Sequence, residues 1–246
     1  MSLLGQILIF SSLGGVGALV GSGLLLWNEK LTRRFSIYLI SFATGIILSV
    51  AFLDLLPESV SNMSLGNPFL FVLIGICAFF ILEKSMVWYH CHGENECELH
   101  TSGPMSLIGD ALHNFGDGII IAIAFLANSI TGVYVALAIV LHEIPQEISD
   151  FSILLHNGMD KKRALIYNLM VAFTAPLGAL VTYYYADFFR ANLGATLALA
   201  AGGLMYIAIA DLIPQLHKIT SSLKSIIQVV LFMAGIIAGY YLVMLE

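Results

Sequence analysis

The sequence has few charged residues for its length. Asp, Glu, Lys and Arg make up 11% of the 246 residues, whereas a soluble domain has about 25%. So few charges cannot cover a surface in contact with water, which excludes a water-soluble globular protein. Cysteine is also scarce, and the three that are present do not make the disulfide framework of a small secreted domain.

Long apolar stretches take up most of the chain. Hydrophobic residues make up 59% of it, and the mean hydropathy is +0.92. A membrane-spanning helix needs about 20 largely apolar residues. The sequence therefore predicts an all-α membrane protein with eight transmembrane helices, in which residues 1–246 form a single transmembrane domain and no room remains for a soluble catalytic domain. The predicted spans, numbered 1 to 8, cover residues 4–27, 36–57, 69–89, 105–127, 131–154, 164–187, 194–214 and 226–244.

The basic residues fall mostly at one set of predicted connections. Lys and Arg favour the cytoplasmic side of a membrane, so this bias predicts a multi-pass protein of the plasma (inner) membrane with both termini extracytoplasmic. Arg190 alone follows an even-numbered span. The other nine of the ten Lys and Arg lie at or after the ends of spans 1, 3, 5 and 7: Lys30, Arg33, Arg34, Lys84, Lys161, Lys162, Arg163, Lys218 and Lys224.

Two pairs of polar motifs recur in spans that run in opposite predicted directions. The first pair is DLLPE at residues 54–58, which ends span 2, and DLIPQ at residues 211–215, which ends span 7. The second pair is LHNFGD at 112–117 in span 4 and LHEIPQ at 141–146 in span 5. This pattern indicates an inverted repeat of three, two and three spans. Such repeats place a transport site near the membrane midplane and support alternating access.

Spans 4 and 5 carry polar stripes at membrane depth. Residues three and four apart share a face of a helix, and imidazoles and carboxylates are costly in hydrocarbon unless they have a function there. Together they suit zinc and tolerate iron, manganese or cadmium. The stripe residues are Asp110, His113, Asn114 and Asp117 in span 4, and His142, Glu143, Gln146, Glu147 and Asp150 in span 5.

A purely structural role is the alternative for single amides such as Asn114 or Gln146, which can hydrogen-bond between helices. It does not account for the imidazoles and carboxylates together, because crowded carboxylates in a low dielectric cannot all ionise without a cation. Gly116 permits a bend, and Pro145 frees the carbonyl of Leu141. Inside a membrane, such a carbonyl is tolerated where it lines a polar cavity. The pattern therefore favours metal or proton handling.

Residues 107–125 and 135–155 resemble spans 4 and 5 of the ZIP (Zrt/Irt-like) family of metal-ion transporters. The similarity extends over nearly the whole chain. Two such motifs, thirty residues apart in an eight-span protein, are highly specific. The other matching segments are residues 43–58, 80–84, 174–179 and 205–214.

The resemblance implies uptake of zinc, with iron, manganese or cadmium as alternatives, into the cytoplasm by an elevator-like motion. Gln146 stands where family members usually have histidine or glutamate, and Ala175 where some have glutamate. We therefore expect one tight site and a second that is weak or transient. By motif position, the main site would be His113, Asp117, His142, Glu143 and Gln146, and the second Asn114, Asp117, Glu143 and Gln146, with Glu147 a further candidate.

The hypothesis for transport is that a divalent ion enters past Asp54 or Asp211 and binds between spans 4 and 5. Protonation of the ligands should release it. Asp110 and Asp150, together with Glu147, are candidates for guiding the exiting ion or moving protons. The expected partners are the divalent ion and the lipid bilayer but no nucleic acid, and a homodimer is an open option.

A polar loop between spans 3 and 4, at residues 90–104, gathers further potential ligands on the predicted cytoplasmic side. Reduced thiols and imidazoles there can take soft divalent metals. We interpret it as a loose metal-sensing or delivery segment, with a solvated polar loop as the equal alternative. Its candidate ligands are His90, Cys91, His92, Cys97 and His100.

Three other functions use similar residues. His142-Glu143 opens like the H-E-x-x-H motif of zinc proteases, but the fifth residue is Gln146. A proton-coupled carrier of an organic solute would use the same acids but does not need two histidines. A metal sensor would bind without transporting. Metal flux into proteoliposomes distinguishes these functions, and we expect a transporter, not an enzyme.

Overall fold

The computed structural model describes residues 1–63, 66–88, 103–156, 158–218 and 221–244, and these are helical with no strand among them. The loop candidates His90, Cys91, His92, Cys97 and His100 lie outside the described residues. The α-helices are α1 (Leu3–Trp27), α2 (Glu29–Ser49), α3 (Leu56–Ser61), α4 (Pro68–Trp88), α5 (Gly103–Ala127), α6 (Ser129–His156), α7 (Lys161–Ala172), α8 (Thr174–Tyr184), α9 (Ala186–Ala191), α10 (Leu193–Tyr206), α11 (Ile213–His217) and α12 (Ser222–Met244).

Every predicted span falls on one or more of these helices, so the chain is an all-α membrane protein. Span 4 corresponds to α5, span 5 to α6, and span 6 to the broken pair α7 and α8. The count of eight crossings stays a prediction. Within the described residues, six segments are long and apolar enough to cross a membrane: Phe35–Ser61, Leu107–Ala127, Ser129–Ser152, Lys161–Tyr184, Leu193–His217 and Ser222–Met244.

Two helices widen into π-helical turns at equivalent places in the two halves, over Val50–Leu55 and Ile207–Leu212. In each, the N–H of the residue that follows bonds to a carbonyl five residues earlier. Pro57 and Pro214 come directly afterwards. Because proline has no N–H to donate, the regular ladder is interrupted there, and π-turns of this kind often occur at functional sites. In α6, by contrast, the helix continues through Pro145 without ending.

The helices form two groups with matching internal contacts. In the first, α1 packs on α6 and α5 packs on α8, with α7 alongside. In the second, α2 packs on α12 and α4 on α10, joined through the π-turns. The predicted inverted repeat relates span 1 to 6, span 2 to 7, span 3 to 8 and span 4 to 5. Under this relation the contact of α1 with α6 corresponds to that of α8 with α5, and the contact of α2 with α12 corresponds to that of α10 with α4. We call them the metal-site group and the π-helix group.

Close helix packing in the π-helix group depends on paired glycines. Gly45 of α2 faces Gly235 of α12, and Gly75 of α4 faces Gly202 of α10. A Cβ added to Gly45 would collide with the backbone oxygen of Phe232. Small residues allow helix backbones to approach closely inside a membrane. Such a glycine pair occurs at both of the repeat-related contacts, that of α2 with α12 and that of α4 with α10.

The two groups meet over an apolar core. It fills the end of the bundle where α5 ends and α6 begins, which we call the closed end. Representative residues, all buried, are Ile47, Val50, Ile121, Ile139 and Leu204. The opposite end, where α5 begins and α6 ends, is called the cavity end below.

Candidate metal centre

Four potential metal ligands converge between α5 and α6. His113 and Asp117 lie one turn apart on α5, and His142 and Glu143 are neighbours on α6. One donor atom from each lies within 4.8 Å of the donors of the other three. The structure therefore brings the two predicted stripes together, as the sequence predicted.

The spacing of the donors fits a tetrahedral zinc ion. Zinc bonds to nitrogen and oxygen are about 2.0–2.1 Å long, which places tetrahedral ligand atoms about 3.3–3.4 Å from one another. The measured separations lie at this value or slightly above it. From His113 Nε2 they are 3.3 Å to His142 Nε2, 3.7 Å to Glu143 Oε1 and 3.8 Å to Asp117 Oδ2; from His142 Nε2 they are 3.4 Å to Glu143 Oε1 and 3.5 Å to Asp117 Oδ2.

Most of this cluster is buried. His142, Asp117 and Glu143 are at most 1% exposed, whereas the His113 side chain is 18% exposed. Apart from the two imidazoles, neither carboxylate has a hydrogen-bond donor in the part of the chain that the structure describes. Buried carboxylates without donors are costly, and a bound cation would remove that cost. The donor set thus fits a divalent ion.

Three predicted ligands lie outside this group of four. Asn114 donates from Nδ2 to Asp110 Oδ1 at 2.9 Å, so its amide orients that carboxylate. Gln146 follows one turn after the α6 ligands and lies on the wall of a cavity. Glu147 is fully buried, and its carboxylate approaches the side chain of Asn168 on α7. A role for these three residues in metal binding therefore stays a prediction.

A cavity of about 300 Å³ connects the cluster to the cavity end of the bundle. Of the four clustered ligands, it is His113 that lines it. Its wall also includes the predicted pathway residues Asp110, Asp150 and Asp211. The lining residues that the sequence analysis did not propose as site residues include Phe79, Glu83, Tyr206 and Gln215.

Two contacts arrange the far wall of this cavity. Tyr206 donates its hydroxyl proton to Glu83 Oε2 at 2.6 Å, which joins α10 to α4. The Phe79 ring lies 6.4 Å from the Tyr206 ring and packs beside Gly116 of α5. An acid at the end of an apolar span was a usable sequence signal for Glu83. Nothing in the sequence pointed to its tyrosine partner.

The predicted entry residues Asp54 and Asp211 have different surroundings. Asp211 lies on the cavity wall and accepts a hydrogen bond from Gln215 Nε2 at 3.0 Å. Asp54 is 5% exposed at the closed end, where Thr131 Oγ1 donates to its Oδ1 at 3.3 Å. The two residues occupy equivalent π-turns, yet they do not share an environment.

Comparisons with known proteins find relatives in one family. The family model described as ZIP zinc transporter matches residues 89–242, which include all four clustered ligands. Zinc transporter ZIP13 of Pongo abelii is 32% identical over 218 residues, covering 81% of this chain. Zinc transporter zipt-7.2 of Caenorhabditis elegans is 31% identical over 156 residues, which cover 62% of this chain. Zinc transporter ZIP10 of Homo sapiens is 36% identical over 112 residues, which cover 46% of this chain. The matches span 64%, 34% and 14% of those proteins, respectively, so the chain spans less than two thirds of their length.

Proposed function

Because the chain belongs to the ZIP zinc transporter family, we propose that it carries Zn²⁺ across a membrane and binds the ion with His113, Asp117, His142 and Glu143. One observation carries the proposal: two nitrogen and two oxygen donors lie at tetrahedral spacing, largely buried, beside a cavity that reaches one of them. A mixed set of this kind suits zinc. Geometry and availability decide between zinc and iron, manganese or cadmium, so a competition panel belongs to the test.

The direction of the cavity suggests which side the site faces. The cavity end carries Lys84, Lys161, Lys162 and Arg163, whereas Arg190 lies at the closed end. By the positive-inside rule, the cavity opens to the cytoplasm and both termini are extracytoplasmic. The structure would then be the inward-facing state of an importer in a plasma (inner) membrane. Reopening at the closed end would complete the alternating-access cycle.

The residues around the four ligands suit passage of the ion and not a second tight site. Gln146 offers only a neutral amide on the cavity wall, and a second tight metal site would need a stronger ligand there. The side chain of Asn114 is already hydrogen-bonded to Asp110. Asp150 and Asp211 extend the polar wall toward the cavity end. We propose that an ion leaving the cluster moves along this wall.

The remaining alternatives fit the site less well. Catalytic zinc sites have three protein ligands and leave a fourth position for water, whereas here four protein donors surround the centre. A zinc protease is therefore disfavoured. A sensor would have no need for a cavity from the ligands to one end of the bundle. Apolar residues along α12 remain exposed, which fits contact with lipid or with a second copy of the chain.

The test is uptake of radioactive zinc into proteoliposomes containing the purified protein. We expect wild type to accumulate zinc, and His113→Ala and Glu143→Ala to lose at least about tenfold of the rate at subsaturating zinc, since each removes a ligand. His217→Ala is the matched control, because His217 is exposed and lies outside the cluster. Undiminished uptake by both ligand variants would remove the site assignment. Cleavage of a membrane substrate without flux would favour the protease.

A further inference from the structure

A hydrogen bond joins the two helix groups at the closed end. Thr131, in the first turn of α6, donates its hydroxyl proton to Asp54 Oδ1 at 3.3 Å. Thr131 belongs to the metal-site group, and Asp54 lies in the first π-turn of the π-helix group. Both are buried, at 1% and 5% exposure. The hydrogen bond lies beside the apolar core at this end of the bundle.

The inverted repeat provides a second copy of the aspartate for comparison. Asp211 occupies the same position in the second π-turn, three residues before a proline, as Asp54 does in the first. Asp211 is half-buried on the cavity wall, and it accepts a hydrogen bond from Gln215 within its own span. In an inverted-repeat transporter, one bundle moves against the other to change the access side. Asp54 lies at the end that is closed in this structure, and Asp211 lies on the wall of the cavity at the other end.

From this contrast we infer that Thr131 is a positioning residue for transport: its hydrogen bond to Asp54 holds the closed end shut while the metal cluster opens to the cavity. The inference rests on the proposed transport function and deepens it. At 3.3 Å this bond is longer than a charge-assisted O–H···O⁻ bond, so we assign it the contribution of an ordinary hydrogen bond. Opening the closed end would break this bond and expose Asp54 to water, so the bond favours the inward-facing state.

The test uses Thr131→Val, which keeps the shape of the side chain and removes its donor. A lost hydrogen bond of this kind shifts a two-state ratio by about five- to tenfold. A larger outward-facing fraction raises apparent affinity from that side, so we expect the KM for external zinc to fall by about three- to tenfold. Thr131→Ser keeps the hydroxyl and should restore the wild-type KM. A variant that is merely less stable would lose Vmax and keep its KM.

Ser129→Ala is the matched control, since it removes a hydroxyl at the start of the same helix. Ser129 donates to Gln6 Oε1 at 3.1 Å, which joins α6 to α1 inside the metal-site group. Its loss should leave KM unchanged. An unchanged or raised KM in Thr131→Val, or an equal fall in Ser129→Ala, would overturn the inference.

A second measurement does not depend on transport. Hydrogen–deuterium exchange of the backbone over residues 133–139 reports how often the closed end opens. We expect it to be about five- to tenfold faster in Thr131→Val than in wild type, and unchanged in Thr131→Ser and Ser129→Ala. Equal exchange in all four proteins would refute the role of Thr131. Absence of zinc uptake by wild type would refute the proposed function instead.

Discussion

Glu143→Gln should change the thermal stability of the protein in opposite directions without and with zinc. In the zinc-free protein, Glu143 and Asp117 place two carboxyl groups side by side in a buried site, where the imidazoles are the donors that the described residues offer them. Glutamine keeps the shape of the side chain and leaves one ionisable carboxyl group in the site instead of two. The zinc-free variant should therefore melt at the same temperature as wild type or higher.

Zinc should stabilise the variant much less. A ligand at 100 times its Kd stabilises by about 2.7 kcal/mol, which raises the Tm of a chain of this size by roughly 5–10 °C. Four-ligand zinc sites are worth about 10–16 kcal/mol. One of four donors then accounts for about 3 kcal/mol, or about a hundredfold in Kd. At the same zinc concentration, the variant would gain only about 0.4 kcal/mol, or roughly 1 °C.

The assay is thermal denaturation of the detergent-solubilised protein, with and without zinc. Glu58→Gln is the matched control, because Glu58 lies in α3 away from the cluster and contacts Asn62 one turn on. It should show the full zinc-dependent rise. A wild-type rise in Glu143→Gln, or a large loss of stability without zinc, would refute the claim that this carboxylate is a buried zinc ligand.

Two further predictions concern packing and metal stoichiometry. Gly45→Ala should reduce the yield of monodisperse protein in gel filtration, because the new Cβ would collide with the backbone of α12. Gly23→Ala is the control and should be neutral or slightly stabilising, because Gly23 has open space around it. Equal yields of the two variants would contradict the close approach of α2 to α12. Gln146→His should let the protein retain a second zinc per chain after desalting, measured by mass spectrometry, because imidazole is a far better zinc ligand than an amide. An unchanged stoichiometry would mean that residue 146 lies too far from the other donors.

The sequence predicted the helices and the central site because two strong signals agree there. Apolar runs of about 20 residues identify spans directly, and the three-to-four spacing of His113, Asp117 and their α6 partners places them on facing stripes. That four of the seven candidates form a compact cluster could not be predicted from the sequence alone. Asn114 has the right spacing, but its hydrogen bond to Asp110 depends on side-chain rotation, which periodicity does not encode.

The features that were missed depend on contacts distant in sequence. Thr131 is one hydroxyl among many until Asp54 is placed beside it, and the same is true of Tyr206 and Glu83. The π-turns were partly visible, since Pro57 marks the first of them, yet Pro145 has no such effect in α6. Whether a proline widens, bends or ends a helix depends on what packs around it.

The four clustered donors differ in their access to water, and this difference predicts the order in which a bound ion would lose them. Only His113 borders the cavity, while the other three donors face protein. If the proposed ion is bound there, water arriving from the cavity would displace the His113 imidazole first and the inner donors afterwards, one bond at a time. His113 would then govern how fast the ion leaves, and the three donors behind it would govern how firmly it is held.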